Sequence, residues 1–342
     1  MENNHNIPEK YRAAVLPAYN PNIIRAIIGL KTEEREITGL KPNQVLIKIV
    51  AAPCNPSDIA FLQGGYNVVK PLPAVPGFEG AGTVVQTSEE ASALLGQRVS
   101  CFTQDDGDGT WAEYLATDAK NCIVLKDEVG FDQAACLAIN PFTAYGLFEL
   151  CQRDNCKALV LNAAGGQLAE FVRLLAIKEG VDCINIVRKK EQVDLLKEKG
   201  EEYALNSADD FFKDELKIVS NKLNATFAFD AVGGEMTGTL LNAMPSGSEV
   251  VVYGGLSGKD ISGISTLDII FQNKKISGFN LNEWIANKSP KELQRIGNEI
   301  QEFIVKGDFE TKIQGSFKLD DVKEGIRAYI KSMSNGKVLF KP

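Results

Sequence analysis

The stretch Ala158–Arg188, ALVLNAAGGQLAEFVRLLAIKEGVDCINIVR, decides the fold. It opens on an apolar run, Ala158–Leu161, and a small-residue turn follows at Asn162–Gly166. Leu168, Phe171, Val172, Leu175 and Ile177 then recur at spacings of three and four, which predicts a helix. Gly180 ends it, because glycine closes a helix in the left-handed conformation without a Cβ penalty. Val181–Val187 is a second strand-like run. Strand, turn, helix and strand make one βαβ unit, the crossover that parallel strands require. The turn presents unpaired N–H groups at a helix N-terminus, where a dinucleotide pyrophosphate binds.

The turn departs from the G-x-G-x-x-G pattern of dinucleotide sites. Its six positions are Ala163, Ala164, Gly165, Gly166, Gln167 and Leu168, so only the middle glycine is kept. The third glycine normally lets helix and strand pack closely. Leu168 is therefore expected to push the helix away or change its tilt. A dinucleotide site and an ordinary strand–helix turn both fit these residues.

Composition narrows the classes of function. The 342 residues suffice for two domains, and 44% apolar with 24% charged residues is ordinary globular make-up. A net charge of −8 argues against nucleic acid or an anionic membrane as partner. No apolar stretch reaches membrane-spanning length, and MENNHNIPEKYR has no signal-peptide core, so a cytoplasmic protein is expected. Seven cysteines, an odd number without C-x-x-C pairs, fit reduced thiols better than a disulfide framework. The one histidine, His5, stands near the chain start, which argues against histidine triads and histidine metal sites.

Residues 11–126 are mostly strand-like. Tyr11–Leu16, Val45–Ala51, Gly82–Thr87, Arg98–Phe102, Trp111–Thr117 and Cys122–Leu125 are short apolar or alternating runs between Gly, Pro and Asp turns. That pattern predicts a barrel-like β domain. Among them lies Ala52–Gly80, rich in proline and glycine; so long an irregular stretch is usually functional. From residue 127 helices and strands alternate. Helices are predicted at Phe131–Leu150 (broken at Asn140–Pro141), Lys190–Lys199 and Ala208–Val219. Strands are predicted at Ala204–Asn206, Ala225–Asp230 and Glu249–Gly254, with Val232–Gly234 opening a further helix. This is a doubly wound α/β pattern. An amphipathic helix at 290–306, a helix at Leu319–Ser332 and a strand at Lys337–Phe340 complete the chain.

Seven stretches together resemble the medium-chain dehydrogenase/reductase superfamily over nearly the whole chain. They are NPSDI at Asn55–Ile59, PGFEGAGTVV at Pro76–Val85, AINPFTAYG at Ala138–Gly146, FDAVGG at Phe229–Gly234, VVYGG at Val251–Gly255, ISGFNL at Ile276–Leu281 and NGKVLFKP at the C-terminus. LQGGYNVVKPLPAVPGFEG, INPFTAY and INIVRKK are most similar to the zinc-independent quinone and trans-2-enoyl thioester reductases. The resemblance implies an α/β chain with a GroES-like β-barrel catalytic domain, split between 1–126 and 283–342. A doubly wound Rossmann cofactor domain, 127–282, is inserted between the halves. A homodimer through edge strands of that domain is also implied, and Leu267–Ile276 is an apolar strand-like run suited to an edge. Zinc members of the superfamily use a cysteine, a histidine and a second cysteine or aspartate; the matching positions here are Asn55, Phe78 and Ile139. None is a plausible zinc ligand, Cys54 is one residue off, and the four-cysteine structural lobe is absent. No metal is expected.

Without zinc, the hydride acceptor needs another activation. A C=C bond conjugated to a carbonyl suits this, because charge develops on an enolate oxygen that hydrogen bonds stabilise. Tyr66, in GGY, matches the family's catalytic tyrosine, and its phenol is a neutral donor at pH 7. The alternative is a loop tyrosine packed on Pro71 or Pro73. Asn55 is a candidate to hydrogen-bond cofactor or substrate carbonyl, or else it caps the helix that NPSD begins.

For the cofactor, the resemblance assigns the turn residues Ala164, Gly165, Gly166, Gln167 and Leu168, with Val232, Tyr253 and Gly254 from the later turns. Phe279 and Leu281 are further cofactor candidates; Asn140 and Thr143 are candidates for the nicotinamide side, or INPFT is simply a helix break, and Trp284 is a candidate wall of the acyl pocket or a core or interface tryptophan. The second strand ends in Val187-Arg188-Lys189-Lys190, without the acid that binds a ribose 2′-OH. Arg188, beside Lys189, can pair a 2′-phosphate and stack on adenine, so NADPH is the expected cofactor; the alternative is a solvated helix start. DDGD at Asp105–Asp108 lacks the glutamate of a calcium loop, Ala116 standing in its place, and is an acidic turn. The expected activity is metal-free, NADPH-dependent reduction of an enoyl thioester or enone, with hydride to the β-carbon and a proton from Tyr66. Quinone reduction, which needs no proton-donating tyrosine, is the alternative enzyme. A superfamily member kept for binding, favoured by Leu168, is the third reading.

Overall fold

The structure is a computed structural model that describes residues 7–153 and 156–342; His5 lies outside the described residues. Two compact units form, one from residues up to Pro141 with Lys288–Pro342, the other Phe142–Asn287. These borders lie beyond 126/127 and 282/283. The buried Glu79 carboxylate accepts from the amides of Ala138 (3.1 Å) and Ile139 (2.9 Å), which ties that segment to the first unit.

The first unit begins with β1 (Lys10–Val15), α1 (Ile23–Gly29), β2 (Lys31–Glu36), β3 (Gln44–Pro53) and α2 (Pro56–Leu62). Then come β4 (Glu79–Thr87), β5 (Arg98–Phe102), β6 (Tyr114–Asp118), β7 (Cys122–Val124), α3 (Phe131–Ala134) and the start of α4 (Asn140–Arg153). The strands β3, β4, β5 and β7 pair in that order, β6 pairs with β3, and β1 pairs antiparallel with β2. The sequence pattern does not mark β2: KTEERE is almost wholly exposed, so it shows no alternation. The irregular stretch 52–80 holds α2, which Asn55 caps and Pro56 starts.

In the second unit come β8 (Ala158–Leu161), α5 (Gln167–Glu179), β9 (Asp182–Val187), α6 (Lys190–Glu198), β10 (Tyr203–Asn206) and α7 (Phe212–Lys222). There follow β11 (Phe227–Asp230), α8 (Glu235–Ala243), β12 (Glu249–Val252), α9 (Thr266–Gln272), β13 (Lys275–Gly278) and α10 (Leu281–Ala286). All neighbours in the sheet β10-β9-β8-β11-β12-β13 are parallel. Val160, Ile184, Ile186, Ala228 and Val250 are fully or nearly fully buried, as expected for strands covered on both faces. Gly180, at φ 66°, closes α5 as its position predicts. Two expectations are corrected. Helix α7 starts after Ala208, because the Asn206 and Asp209 side chains accept from the amides of Ala208 and Phe211 and hold that stretch as turns. Leu267–Ile276 is not one strand. Ser265 caps α9 by accepting from Asp268 N–H, Asn273 ends it at φ 51°, and only Lys275–Gly278 forms the edge strand.

The chain returns to the first unit with α11 (Pro290–Lys306), β14 (Ile313–Lys318), α12 (Val322–Lys331) and β15 (Lys337–Lys341). β15 pairs antiparallel with β3, Leu339 opposite Pro53, and parallel with β14. Trp111, wholly buried, donates to Pro53 O at 3.0 Å and meets Phe340 edge-on at 4.8 Å, so the two halves of the split unit share one core. No helix of the described residues is long and apolar enough to cross a membrane. All seven cysteines are free thiols.

Candidate active site

In the second unit the strand order reverses between β8 and β11, the place where a doubly wound sheet binds a dinucleotide. The turn after β8 shows why the motif favours glycine first. Ala163 stands at φ 49°, a left-handed conformation that strains an L-residue by about 1–2 kcal/mol. Two backbone bonds hold it there: Gly166 N–H to Ala163 O at 2.9 Å and Ala164 N–H to Ile186 O at 3.1 Å. Gly165 and Gly166 are exposed, and no side chain caps α5. Leu168 is half-buried, while Ala169 takes the buried place beside it. Gln167 Nε2 is buried without a partner among the described residues, and an orphan donor at a helix start fits a group rich in acceptor oxygens. These residues fit a dinucleotide.

The turn after β11 is built on the opposite principle. Asp230, wholly buried, accepts from Val232 N–H (2.8 Å), Gly233 N–H (3.0 Å), Asn162 Nδ2 and Thr237 Oγ1. Asn162 Oδ1 accepts in turn from Ala231 N–H at 2.7 Å, so this pair joins the two turns. Tyr253 N–H donates to Asp230 O at 3.0 Å, and a Cβ on Gly254 would lie 2.8 Å from Ala231 O. Val232, Tyr253 and Gly254 are thus assembled beside the glycine turn. The organising residues Asp230, Asn162 and Thr237 were not singled out by the sequence reading, although Asp230 lies inside the FDAVGG stretch.

Arg188 and Lys189 are exposed at the end of β9, and Arg188 has no hydrogen-bond or ion-pair partner among the described residues. Further along, Phe279 donates its N–H to Val252 O at 2.9 Å, and Leu281 begins α10. Trp284 packs with Phe142, Phe279 and Tyr145 at 6.2–6.5 Å between ring centres, its indole N–H on Glu149 at 2.9 Å. A Cβ on Gly146 would come within 2.5 Å of the Phe279 ring. Thr143 is buried on α4, and Asn140 begins that helix, half-buried.

The first unit holds a buried charged cluster at the three positions that match zinc ligands. Asn55 is 1% exposed; its Nδ2 donates to Glu79 Oε1 at 3.0 Å and its Oδ1 accepts from Lys337 Nζ. Asp58 accepts from Asn55 N–H (2.7 Å) and Phe78 N–H (3.1 Å). Phe78 itself is a wholly buried ring, and Ile139 contributes its amide to Glu79. Asn55 is spent between Glu79 and Lys337, and both carboxylates are engaged by backbone amides, so zinc does not fit these residues. Among the described residues no three His, Cys, Asp or Glu side chains converge to hold a metal ion. Burial pushes the Asp58 carboxyl up to about 7 against the amides that it accepts. Burial also raises Glu79, countered first by the Lys337 cation. Lys337, 282 residues from Asn55, escaped the sequence reading because only the paired β15 and β3 bring it there.

Tyr66 stands on the loop after α2. Its ring lies 5.2 Å from that of Phe78, and its hydroxyl donates to Gln104 Oε1 at 3.3 Å. Burial raises its pKa, which keeps the phenol protonated at neutral pH. The loop is fastened by Tyr19, whose hydroxyl bonds both the N–H and the C=O of Lys70 at 2.9 Å. Lys70 Nζ, 5.7 Å above the Phe78 ring, donates to Gly107 O in the acidic turn.

Comparison with known proteins agrees with this fold. The family model for the alcohol dehydrogenase GroES-like domain matches residues 41–127, and that for zinc-binding dehydrogenases matches residues 171–298. A mitochondrial enoyl-[acyl-carrier-protein] reductase of Rattus norvegicus is 28% identical over 88% of this chain and 82% of its own. A solved protein of Mesorhizobium loti, described as an NADPH:quinone reductase, is 31% identical with a TM-score of 0.89, covering 98% of this chain and 99% of its own. The mitochondrial 2-enoyl thioester reductase heterodimer of Candida tropicalis shares the fold, with a TM-score of 0.80 at 22% identity over 97% of this chain and 100% of its own.

Proposed function

The chain belongs to the medium-chain dehydrogenase/reductase superfamily, in its zinc-independent branch, and we propose that it reduces a C=C bond conjugated to a carbonyl, the substrate being an enoyl thioester. It is an NAD(P)H-dependent oxidoreductase; NADPH, when bound, supplies the hydride to the β-carbon. Tyr66 carries the reading: a neutral phenol on a fastened loop, its hydroxyl donating to Gln104, is a donor poised to hand a proton to the α-carbon. The same hydroxyl can hold the enolate oxygen while charge develops there. Asn55 has both side-chain polar atoms spent inside the protein, so its part is to position α2 and Glu79 rather than to touch substrate. Arg188, with Lys189, selects the 2′-phosphate of NADPH.

Quinone reduction is the second reading, favoured by the 31% identity to the Mesorhizobium loti protein. A panel of enoyl thioesters, enones and quinones, followed by NADPH consumption, separates the two. Turnover on quinones alone would reject the enoyl reading. The exposed Lys275–Gly278 edge of the parallel sheet is the surface for a homodimer, and light scattering that gives a monomer at micromolar concentration would count against it. A reducing compartment such as the cytoplasm suits seven free thiols.

A further inference from the structure

Arg173 lies within α5, yet its guanidinium turns back to the turn that opens the helix. The residue is 5% exposed. Nη1 donates to Ala164 O at 2.8 Å and to Asn185 Oδ1 at 3.2 Å, and Nε lies 3.3 Å from Glu201 Oε1. Asn185, wholly buried on β9, gives Nδ2 to Glu201 Oε2 at 2.9 Å and so closes the network. A buried guanidinium is tolerated only where its donors are used. Here one donor goes to a backbone carbonyl inside the motif turn.

That contact has a geometric consequence. The peptide between Ala164 and Gly165 is planar and trans, so its C=O and N–H point in opposite directions. With the carbonyl drawn inward onto Arg173, the Gly165 N–H faces the exposed side of the turn. It makes no hydrogen bond with the described residues. We infer that Arg173 is a positioning residue for the dinucleotide turn: it fixes the Ala164–Gly165 peptide so that the Gly165 N–H is presented to a pyrophosphate oxygen. The inference rests on the reading that this turn holds NADPH. It also explains how the turn manages with alanine at the first motif position, strained at φ 49°, and leucine at the third. The restraint comes from the helix and from β9 instead.

The test compares Arg173→Gln, which is shorter and uncharged, with Glu201→Gln, which weakens the ion pair but leaves the Ala164 contact. NADPH affinity is read by cofactor fluorescence titration, and fold stability by thermal melting without cofactor. Arg173→Gln is expected to weaken NADPH about tenfold or more, the size of one lost charge-assisted hydrogen bond. Glu201→Gln is expected to bind within about twofold of the parent whatever its melting temperature. In nitrogen-15 spectra of the cofactor-free protein, the Gly165 amide should move in the first variant and hold in the second. Should Arg173→Gln not fold, Arg173→Lys replaces it, with weaker NADPH binding still expected because one ammonium cannot span Ala164 and Glu201. Parent-like affinity in the Arg173 variant, or equal losses in both variants, would overturn the inference. A parent protein that binds no NADPH would overturn the cofactor reading and this inference with it.

Discussion

Around Asn55 the polar side chains are bonded to one another and to backbone amides inside the protein; at the turn after β8 the Gly165 amide and Gln167 Nε2 have no partner among the described residues. Both regions are rich in polar groups. The first is closed: Lys337 supplies the cation, and Glu79 and Asp58 hold the amides of Ala138, Ile139, Phe78 and Asn55. The second is open to solvent at Gly165 and Gly166. Of these donors only Gln167 Nε2 is buried, and a buried orphan donor is what native folds otherwise avoid.

The contrast can be broken from the closed side first. Lys337→Met leaves two buried carboxylates without their cation, and loss of one partner of a buried ionic cluster costs about 3–5 kcal/mol. Urea unfolding should show that loss; a change within error would mean that the cluster does not depend on Lys337. The cluster also sets a pH dependence. The folded-state pKa of Asp58, about 7, lies above its ordinary value near 4, so between those values the folded protein binds more protons than the unfolded chain. Stability should therefore fall as pH rises through that window and level off above it. Asp58→Asn should flatten the fall, and an unchanged slope would place the titration elsewhere.

Next comes Tyr66→Phe, which removes one hydroxyl and leaves the stacking on Phe78. Turnover on enoyl thioesters should drop on the order of 10²–10³-fold, while NADPH binding and most quinone turnover remain. Equal rates on every acceptor would make Tyr66 a bystander, and equal losses on all would point to a damaged loop. From the open side, Arg188→Ala should erase most of the preference for NADPH over NADH, about ten- to a hundredfold. Unchanged affinities for both cofactors would make Arg188 an ordinary surface arginine. The smallest effect is expected of Ala163→Gly. Relief of its strained φ, about 1–2 kcal/mol, is partly offset by the 0.5–1 kcal/mol of extra backbone entropy that glycine loses on folding. A gain of about 1 kcal/mol or less in thermal stability is expected, and a loss would show that the alanine methyl packs.

The open region was legible in the sequence because its logic is local. Ala158–Val187 contains strand, turn, helix and strand in one run, and Gly180 falls where the helix ends. The closed region was half legible. Asn55 and Asp58 share a helix start, but Glu79 reaches them through the pairing of β3 with β4, and Lys337 only through strand pairing across the length of the chain. Leu267–Ile276 misled for a different reason. Its apolar run suits either element, and Ser265 and Asn273, which decide for a short exposed helix, are caps rather than pattern. Arg173 gave no signal, since an arginine amid a helical pattern reads as a solvated face.

The proposed reaction is hydride transfer to an activated double bond. The direct measurement is a reaction of the parent protein with trans-2-enoyl thioester and NADPH carrying deuterium at C4 on the transferred face, with both C4 epimers tried. Mass and proton spectra of the saturated product should place one deuterium on the β-carbon, with the α-carbon proton drawn from solvent. NADPH oxidation with a quinone but no saturated thioester from any acyl chain tried, or product without deuterium at the β-carbon, would contradict the account.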